Sequence, residues 1–337
     1  MSGWYKNIAE NDDIVVSSRI RLARNLSDLP FPKRMNELQL KDLKERVKNA
    51  ISEINTDIYG QMKFIEMDNV PEVEINAMVE RHVISPDFAK NCEGRAIAIS
   101  GDESISIMIG EEDHLRIQVT CGGMSLEKTY EIADGLDNEL CGKLNFAYDS
   151  ELGFLTECPT NIGTGLRASV MLHLPVIEAR GAISEITSAV SKIGLTVRGM
   201  YGEGSKALAS LYQISNQITL GISEKSAVEN LKIITEQIIE KEKTEREVLS
   251  KIELEDLVFR AYGILTNARL LNSEELMNLI SKIKLGAGMG ILDMNNMEPI
   301  EMLIEAQPYM LQRKFGNLTP AERDEKRAAY IREILLQ

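Results

Sequence analysis

The spacing of hydrophobic residues changes along the chain, from a period of two in several early segments to a helical period in the last third. Apolar and polar residues alternate over residues 14–22, and alternation returns over residues 96–120 on both sides of the acidic stretch 110–113. A period of two is typical of half-buried strands. The pattern therefore predicts a strand near the N-terminus and, later, two antiparallel strands joined by an acidic turn.

Helical spacing begins behind Asn36, which with Gln39 three residues later has the sequence of a capping box. Apolar residues then recur along one face as far as Ile54. The same criteria predict helices at residues 126–140 and 183–193, the second closed by Gly194, and strands at residues 170–174 and 211–220.

Beyond residue 223 the pattern predicts one helix after another, and the last begins at the capping box Thr319–Glu322 with proline at its first position. The glycine-rich stretch 286–290 follows no strand and lacks the GxGxxG spacing, so we interpret it as a loop between helices. The charge run 240–246 indicates a boundary. The sequence thus predicts an α+β domain over residues 1–240, with an antiparallel sheet flanked by helices, and an all-helical domain over residues 241–337.

Composition restricts the kinds of partner. The chain has 337 residues and a net charge of -14, which disfavours nonspecific binding to nucleic acid or to an anionic membrane. No apolar run has the length of a membrane span and the N-terminus lacks a signal sequence, so we expect a cytoplasmic protein. None of the four cysteines lies in a CxxC pair, which argues against a zinc site, and a disulfide framework is not expected.

The most specific segment is residues 158–169, Cys-Pro-Thr-Asn-Ile-Gly-Thr-Gly-Leu-Arg-Ala-Ser. Two glycines in one loop allow the backbone to approach a ligand closely, although either glycine alone would indicate only a turn. The whole string resembles the signature of the phosphagen (guanidino) kinases, the family of creatine and arginine kinases. Residues 17–25, 111–116 and 197–203 resemble further motifs of that family in the same order, so the resemblance covers roughly residues 14–240.

The resemblance implies the phosphagen-kinase fold, ATP as phosphoryl donor, and a set of nucleotide-binding residues. These are Ser17, Ser18, Arg19, Ile20, Arg21, His82, Arg116, Arg167, Ala168, Ser169, Val170, Met171, Arg198, Gly199, Met200, Tyr201, Gly202 and Glu203. The match at His82 rests on the weakest surrounding sequence, and a residue flanking a helix is the alternative. The sequence offers no aspartate cluster for a metal, so we expect Mg²⁺ to be held mainly by the phosphates and by water.

The chemistry of the arginines agrees with a polyanion. Arg19 and Arg21 are two apart on a strand and leave the same face, which is unfavourable unless an anion lies between them. With Arg116, Arg167 and Arg198 they make five side chains whose planar forks bind phosphate oxygens in pairs. Each of these arginines alone would be interpreted as a surface ion pair, whereas the set favours a triphosphate.

The resemblance also implies an acceptor site for a guanidinium, formed by Glu112, Glu203 and Cys158. A guanidinium is a poor nucleophile because it is protonated. Glu112 matches the family's catalytic glutamate and would take the proton, while Glu203 would align the acceptor. Cys158 would lie beside it, where an arginine-rich setting favours a thiolate; the alternative is a buried, unreactive thiol.

Departures from the small-substrate kinases bear on which guanidinium is the acceptor. Only 16 residues precede Ser17, where those enzymes carry a helical domain that closes over a small substrate. Tyr201 stands where they have another arginine, and Lys206 where they have a substrate-clamping glutamate. The arrangement is similar to that of the bacterial protein arginine kinases, which implies an arginine side chain of another protein as the acceptor.

The C-terminal helix contains Arg323-Asp-Glu-Lys-Arg-Ala328, which resembles the RDxxRA motif of the same kinases. The resemblance implies an accessory, regulatory phosphoarginine site formed by Arg323, Asp324, Arg327 and Ala328. Arginines four apart share a helix face, and two cations near a helix N-terminus oppose its dipole, so an anion there is reasonable. A solvated first turn is the alternative.

By the same resemblance we expect a homodimer that marks proteins for Clp degradation in a stress response. Its partners would be an activator protein, a heat-shock repressor and a Clp unfoldase. A kinase for free arginine or another small guanidine is the alternative that shares fold and chemistry. A non-catalytic phosphoarginine-binding adaptor is a second alternative, which the full set of candidate catalytic residues disfavours.

Overall fold

The structure is a computed structural model that describes residues 3–6, 13–199, 208–294 and 298–336. The chain divides into two compact units, each made of several segments. The first unit comprises residues 1–7, 18–169 and 215–233, and the second comprises residues 8–17, 170–214 and 234–337. No helix among the described residues is long and apolar enough to cross a membrane.

The described residues form ten strands. They are β1 (Val15–Arg24), β2 (Lys63–Glu66), β3 (Ala96–Ile99), β4 (Ile105–Ile109), β5 (Leu115–Gly122), β6 (Tyr148–Asp149), β7 (Gly153–Phe154), β8 (Leu166–His173), β9 (Leu195–Gly199) and β10 (Leu211–Asn216). Eight of them form one sheet in the order β2-β3-β4-β5-β1-β8-β10-β9, and β6 pairs with β7. Adjacent strands from β2 to β5 are antiparallel, with Ile107 opposite Ile117 in β4 and β5.

Thirteen α-helices lie in the described ranges. They are α1 (Glu37–Ser52), α2 (Thr56–Tyr59), α3 (Glu72–Glu80), α4 (Pro86–Lys90), α5 (Leu126–Cys141), α6 (Pro175–Ala179), α7 (Ile183–Ser191), α8 (Glu224–Glu247), α9 (Lys251–Asn267), α10 (Ser273–Gly288), α11 (Pro299–Glu305), α12 (Pro308–Phe315) and α13 (Pro320–Leu335). The fold class is α+β with a helical C-terminal part, as the sequence predicts.

The main elements form where local chemistry favours them. The predicted capping box is present at the start of α1, where the Asn36 side chain accepts from the Gln39 N–H. Leu43 and Val47 on the apolar face of that helix are fully buried. The two antiparallel strands around the acidic turn are confirmed as β4 and β5, and the strand predicted at residues 14–22 is confirmed as β1 with slightly different ends.

Each unit has its own core. In the first unit, Phe88, Ile97 and Met108 belong to a buried cluster between the helices around α4 and the strands β3 and β4. In the second unit, Val258 of α9 and Leu285 of α10 belong to another. Burial of such apolar area supplies most of the favourable free energy of folding.

Three predictions about local structure need correction. The strand predicted at residues 211–220 ends at Asn216, and the charge run 240–246, which was interpreted as a domain boundary, lies inside α8. The glycine-rich stretch 286–290 is helical at its start and not a loop, because α10 continues through Gly288. A Cβ on Gly286 would lie 2.5 Å from Cγ1 of Val258, so this glycine allows α9 and α10 to pack closely.

Candidate active site

Three neighbouring strands of the first unit carry the arginines on which the site depends. In the sheet β5 lies next to β1, and β1 lies next to β8. These strands contribute Arg116, the pair Arg19 and Arg21, and Arg167, and all four side chains are partly accessible. The sheet order therefore brings together four arginines that are as far apart as 148 positions in the sequence.

The charges of these arginines act on one another. Burial, followed by the charges of Arg167 and Arg116, lowers the pKa of Arg19 to about 10. The pKa of Arg21 is lowered even more by burial and by the other three guanidinium groups, against a smaller opposing effect of Glu111. Nε of Arg21 is buried and receives no hydrogen bond partner from any described residue. A cluster of like charges with an unsatisfied donor fits a bound polyanion, such as the phosphates of a nucleotide.

Not every residue of the first arginine motif points toward this cluster. Ile20 is buried in the core, as strand alternation requires. The Ser18 hydroxyl is also buried; it donates to the Gly123 carbonyl at 2.9 Å and accepts from the Ser125 N–H at 2.9 Å. The side chains of Ser18 and Ile20 therefore hold β1 in place. Ser17 lies on the same strand face as Arg19 and is also buried.

The signature strand β8 is fixed by side chains of β10. Nη2 of Arg167 donates to the Ser215 hydroxyl at 3.1 Å, and the N–H of Ala168 donates to Oδ1 of Asn216 at 2.7 Å. The Ser169 hydroxyl donates to the Arg19 carbonyl at 3.4 Å. These contacts set the register that places Arg167 beside β1. Further along the strand, Val170 is buried and Met171 is half-buried.

His82 lies just beyond α3 with a backbone φ of 59°, a conformation that few residues other than glycine adopt. Burial, followed by the charge of Arg19, lowers its pKa to about 4. The imidazole is therefore neutral at pH 7 and adds no charge to the arginine cluster. The residue flanks a helix, as the alternative interpretation has it, and its role in nucleotide binding stays a prediction.

The acidic turn between β4 and β5 presents its two glutamates differently. Oε2 of Glu111 lies 2.6 Å from Nη1 of Arg116, whereas Oε2 of Glu112 lies 3.9 Å from Nη2 of the same arginine. Burial raises the pKa of Glu112, and the charge of Asp113 raises it further, while Arg116 opposes the shift. Glu112 is therefore more basic than an ordinary glutamate, which suits its predicted role as a proton acceptor. Sequence reasoning gave Glu111 no role, although the glutamate doublet was visible.

A buried aspartate ties this turn to the segment that carries Cys158. Oδ1 of Asp113 accepts from Nδ2 of Asn25 at 2.6 Å and from the N–H of Glu157 at 2.8 Å. Oδ1 of Asn25 accepts in turn from the N–H of His114 at 2.8 Å. Because Glu112 precedes Asp113 and Cys158 follows Glu157, these bonds tie together the two segments that carry the predicted catalytic residues. Sequence reasoning missed Asp113 and Asn25 as positioning residues.

Cys158 itself precedes the 3-10 turn Pro159–Asn161, and its side chain is half-buried. Its Sγ lies 3.0 Å from the Thr160 hydroxyl. All four cysteines lie in the described part of the chain and are free thiols. The thiol is thus partly accessible to solvent.

The glycines of the signature loop allow close approach of the chain's own backbone, and their approach to a ligand stays a prediction. Gly163 has φ of 112°, and a Cβ there would collide with the Thr219 carbonyl. Gly165 has φ of 61°, and a Cβ there would lie 2.7 Å from the Ala23 carbonyl. Side chains at these positions would push the loop off β1 and off the segment after β10.

The last predicted site segment, residues 198–206, is described only at its start. Arg198 and Gly199 lie at the end of β9 in the second unit, half-buried and buried respectively. Met200, Tyr201, Gly202, Glu203 and Lys206 lie outside the described residues. The role of Glu203 as a second acceptor carboxylate therefore stays a prediction.

The C-terminal motif has two differently placed arginines. Arg327 is 1% exposed; it donates to the Ala306 carbonyl at 2.9 Å and to the Leu271 carbonyl at 2.8 Å. Its guanidinium also pairs with Asp324 at 2.6 Å. Ala328 is buried, whereas Arg323 is half-buried at the helix surface. Arg327 therefore holds the helices together, and Arg323 is the arginine left to contact an external anion.

No group of three or more histidine, cysteine, aspartate or glutamate side chains that could hold a metal occurs among the described residues. The expected binding of Mg²⁺ through phosphates and water stays a prediction.

Comparison with known proteins defines the class. Residues 42–245 match the model of the ATP:guanido phosphotransferase C-terminal catalytic domain, so the chain belongs to that family of guanidino phosphotransferases. Residues 251–337 match the protein-arginine kinase McsB C-terminal domain. Two relatives, from Halothermothrix orenii and Caldanaerobacter subterraneus, are both named protein-arginine kinase. The first is 47% identical over 99% of this chain and 97% of its own, and the second is 46% identical over 95% and 96%.

Solved structures share the expected fold. A lombricine kinase superimposes with a TM-score of 0.61 at 22% identity, covering 74% of this chain and 72% of its own. The duplicated taurocyamine kinase of Schistosoma mansoni gives 0.63 at 23% identity, covering 82% of this chain and 41% of its own. The predicted phosphagen-kinase fold is therefore confirmed.

Proposed function

We propose that this protein transfers the terminal phosphoryl group of ATP to an arginine side chain of another protein. The observation that carries the proposal is the pair of bonds from Asp113 to Asn25 and to Glu157. These bonds tie the turn that carries Glu112 to the segment that carries Cys158, and Oε2 of Glu112 lies 3.9 Å from Nη2 of Arg116. Such a site offers a phosphate-binding end and a cation-binding end next to each other.

At the phosphate-binding end, Arg19, Arg21, Arg116 and Arg167 would grip the triphosphate. Their mutual repulsion is relieved when an anion enters, so part of the cost of assembling them is offset on binding. Their forks would also neutralise charge on the phosphoryl group during transfer, and positioning with charge neutralisation supplies most of the catalysis in phosphoryl transfer. Mg²⁺ bound to the phosphates would add to that neutralisation.

At the cation-binding end, Glu112 would align the guanidinium and accept its proton. A nitrogen of the guanidinium forms a bond to the terminal phosphorus while the bond from that phosphorus to the bridging oxygen of ADP breaks. The proton from the same nitrogen passes to the Glu112 carboxylate. Cys158 would pack beside the guanidinium plane and fix its orientation, with Glu203 as the second carboxylate.

A protein-borne arginine is favoured as acceptor by the C-terminal domain match and by the name of the relatives, protein-arginine kinase. The test is to incubate the protein with Mg-ATP and an arginine-rich protein, and to analyse the products by mass spectrometry at neutral pH. Phosphoarginine, lost on acid treatment, is the expected product. Phosphorylation of free arginine in preference to the protein would instead identify a small-guanidine kinase, and no product at all would contradict the kinase assignment.

The wider role is proposed from the resemblance of the sequence to the protein arginine kinases. We propose a cytoplasmic homodimer whose products are directed to a Clp protease in a stress response. An activator protein, a heat-shock repressor and a Clp unfoldase would be its partners. Arg323 and Asp324 would form the surface of a regulatory phosphoarginine site, supported from beneath by Arg327 and Ala328.

A further inference from the structure

A lysine beside the cation-binding end has no part in the reaction proposed above. Lys33 lies in the short 3-10 turn Pro32–Arg34. Its side chain is 70% exposed, and its Nζ lies 2.9 Å from Oε1 of Glu157, whose side chain is 19% exposed. Glu157 immediately precedes Cys158. A flexible cation therefore reaches to the edge of the acceptor site.

Lys33 interacts electrostatically with the groups that would bind the acceptor. The hydrogen bond to Glu157 raises the pKa of Lys33, and the charges of Glu112 and Cys158 act in the same direction. Conversely, Lys33 is among the charges that lower the pKa of Glu112. The ammonium therefore lies in the field where the guanidinium of a substrate is expected.

Only one of the two carboxylate oxygens of Glu157 contacts this lysine. Its Oε1 contacts Lys33, while its Oε2 is buried and accepts no hydrogen bond from the described residues. A buried acceptor without a donor is costly and in native proteins usually has a functional reason. An ammonium approaches a carboxylate as a point charge, whereas a guanidinium donates two parallel N–H groups to both oxygens. An arginine could therefore satisfy the whole carboxylate.

We propose that Glu157 is a further carboxylate of the acceptor site and that Lys33 is a resident cation which the substrate arginine displaces. The inference rests on the proposed function, because it says how that same site selects its acceptor. Exchanging one cation for another leaves the charge around Glu112 and Glu157 balanced. A lysine side chain of another protein gains nothing over Lys33, whereas an arginine gains the second hydrogen bond.

Three variants test the assignment by steady-state kinetics with an arginine-bearing peptide. Glu157→Gln should raise the KM for the peptide about tenfold while the KM for ATP stays the same, because a charged bidentate contact is lost. Lys33→Gln should lower the KM for the peptide by about threefold, because the competitor is gone. The double variant should match Glu157→Gln alone, since Lys33 acts through that carboxylate.

Lys143→Gln is the matched control, because its ammonium lies 3.0 Å from Glu53 in another exposed pair. It should leave both KM values at the wild-type level. Peptide binding without ATP, measured by calorimetry, should follow the same order of affinities, and thermal unfolding shows that each variant is folded. An unchanged peptide KM in Glu157→Gln, a raised one in Lys33→Gln, or additive effects in the double variant would overturn the inference. A wild-type protein that makes no phosphoarginine would overturn the proposed function instead.

Discussion

Neighbouring carboxylates in the acidic turn face different charges, and this difference separates their roles. Oε2 of Glu111 lies 2.6 Å from Nη1 of Arg116, so Glu111 holds an arginine of the phosphate-binding end in place. Glu112 lies farther from that arginine and next to Asp113, and burial raises its pKa. One side chain thus positions and the other is suited to accept a proton.

The pH dependence of the reaction tests the assignment of Glu112. A base must be ionised, and its raised pKa means that it becomes protonated at a higher pH than an ordinary glutamate. We expect kcat/KM to fall on the acid side with a midpoint above about 4.3, the value of an unperturbed glutamate. Lys33→Gln should move that midpoint to still higher pH, because Lys33 is among the charges that lower the pKa of Glu112.

Stability gives an independent measurement on the same residue. Because the pKa of Glu112 is higher in the folded than in the unfolded chain, its ionised form destabilises the native state at neutral pH. Glu112→Gln should therefore abolish activity and slightly raise the unfolding temperature at pH 7, and this stabilisation should vanish below about pH 4. Glu53→Gln, in an exposed pair, serves as control. If the midpoint of the fall in kcat/KM on the acid side lay at or below the pKa of a free glutamate, Glu112 would not be the base.

At the scale of elements, the position of one loop depends on segments that are distant in sequence. The signature loop between β7 and β8 has the Thr219 carbonyl against Gly163 and the Ala23 carbonyl against Gly165. The main chain of Gly165 also accepts a hydrogen bond from the Ala23 N–H at 2.9 Å. The position of Cys158 therefore follows from backbone packing at least as much as from its own contacts.

Gly163→Ala should consequently disturb the site through the backbone. The new Cβ would combine a disfavoured φ of 112° with a collision against the Thr219 carbonyl. We expect a loss of about 3 kcal/mol in the free energy of unfolding, together with loss of activity. Unfolding in urea measures the first and the peptide kinase assay the second.

Gly221→Ala provides the comparison within the same unit. Gly221 also has a positive φ, of 76°, but a Cβ there meets no atom within 4 Å. Its substitution should cost only about 1 kcal/mol and leave the kinase active. Equal losses in the two variants would mean that backbone conformation, and not the close approach of Thr219, explains Gly163.

For the molecule as a whole, the sequence best predicted the elements that have a regular hydrophobic period or a strong local signal. The capping box at Asn36 and the alternation on both sides of the acidic turn located α1, β4 and β5 correctly. Elements of two to four residues, such as β6 and α2, are too short for any period to show. The helical position of Gly286 was missed because its reason is the contact with Val258, which no local pattern contains.

The residues of the candidate site also divide into those that local sequence patterns predicted and those that they missed. The arginines are visible in the sequence because their motifs are, and alternation alone puts Arg19 and Arg21 on one face. Asp113 and Glu157 were missed because their contacts join positions 44 apart, and the pair of Lys33 with Glu157 spans 124 positions. Such contacts follow from the order of strands, which local periodicity does not determine.

The helical C-terminal part yields the last prediction, because its two motif arginines should separate stability from regulation. Arg327 donates to the carbonyl of Ala306, between α11 and α12, and to that of Leu271, before α10. Arg327→Ala leaves both buried carbonyls and Asp324 without this partner, so we expect a loss of about 3 kcal/mol in unfolding free energy. Arg323→Ala should cost less than about 0.5 kcal/mol and instead weaken binding of a phosphoarginine peptide, measured by calorimetry. Binding that survives Arg323→Ala undiminished would mean that the anion contacts another part of the helix, whereas a mild effect of Arg327→Ala on unfolding would show that its buried contacts contribute little to the stability of these helices.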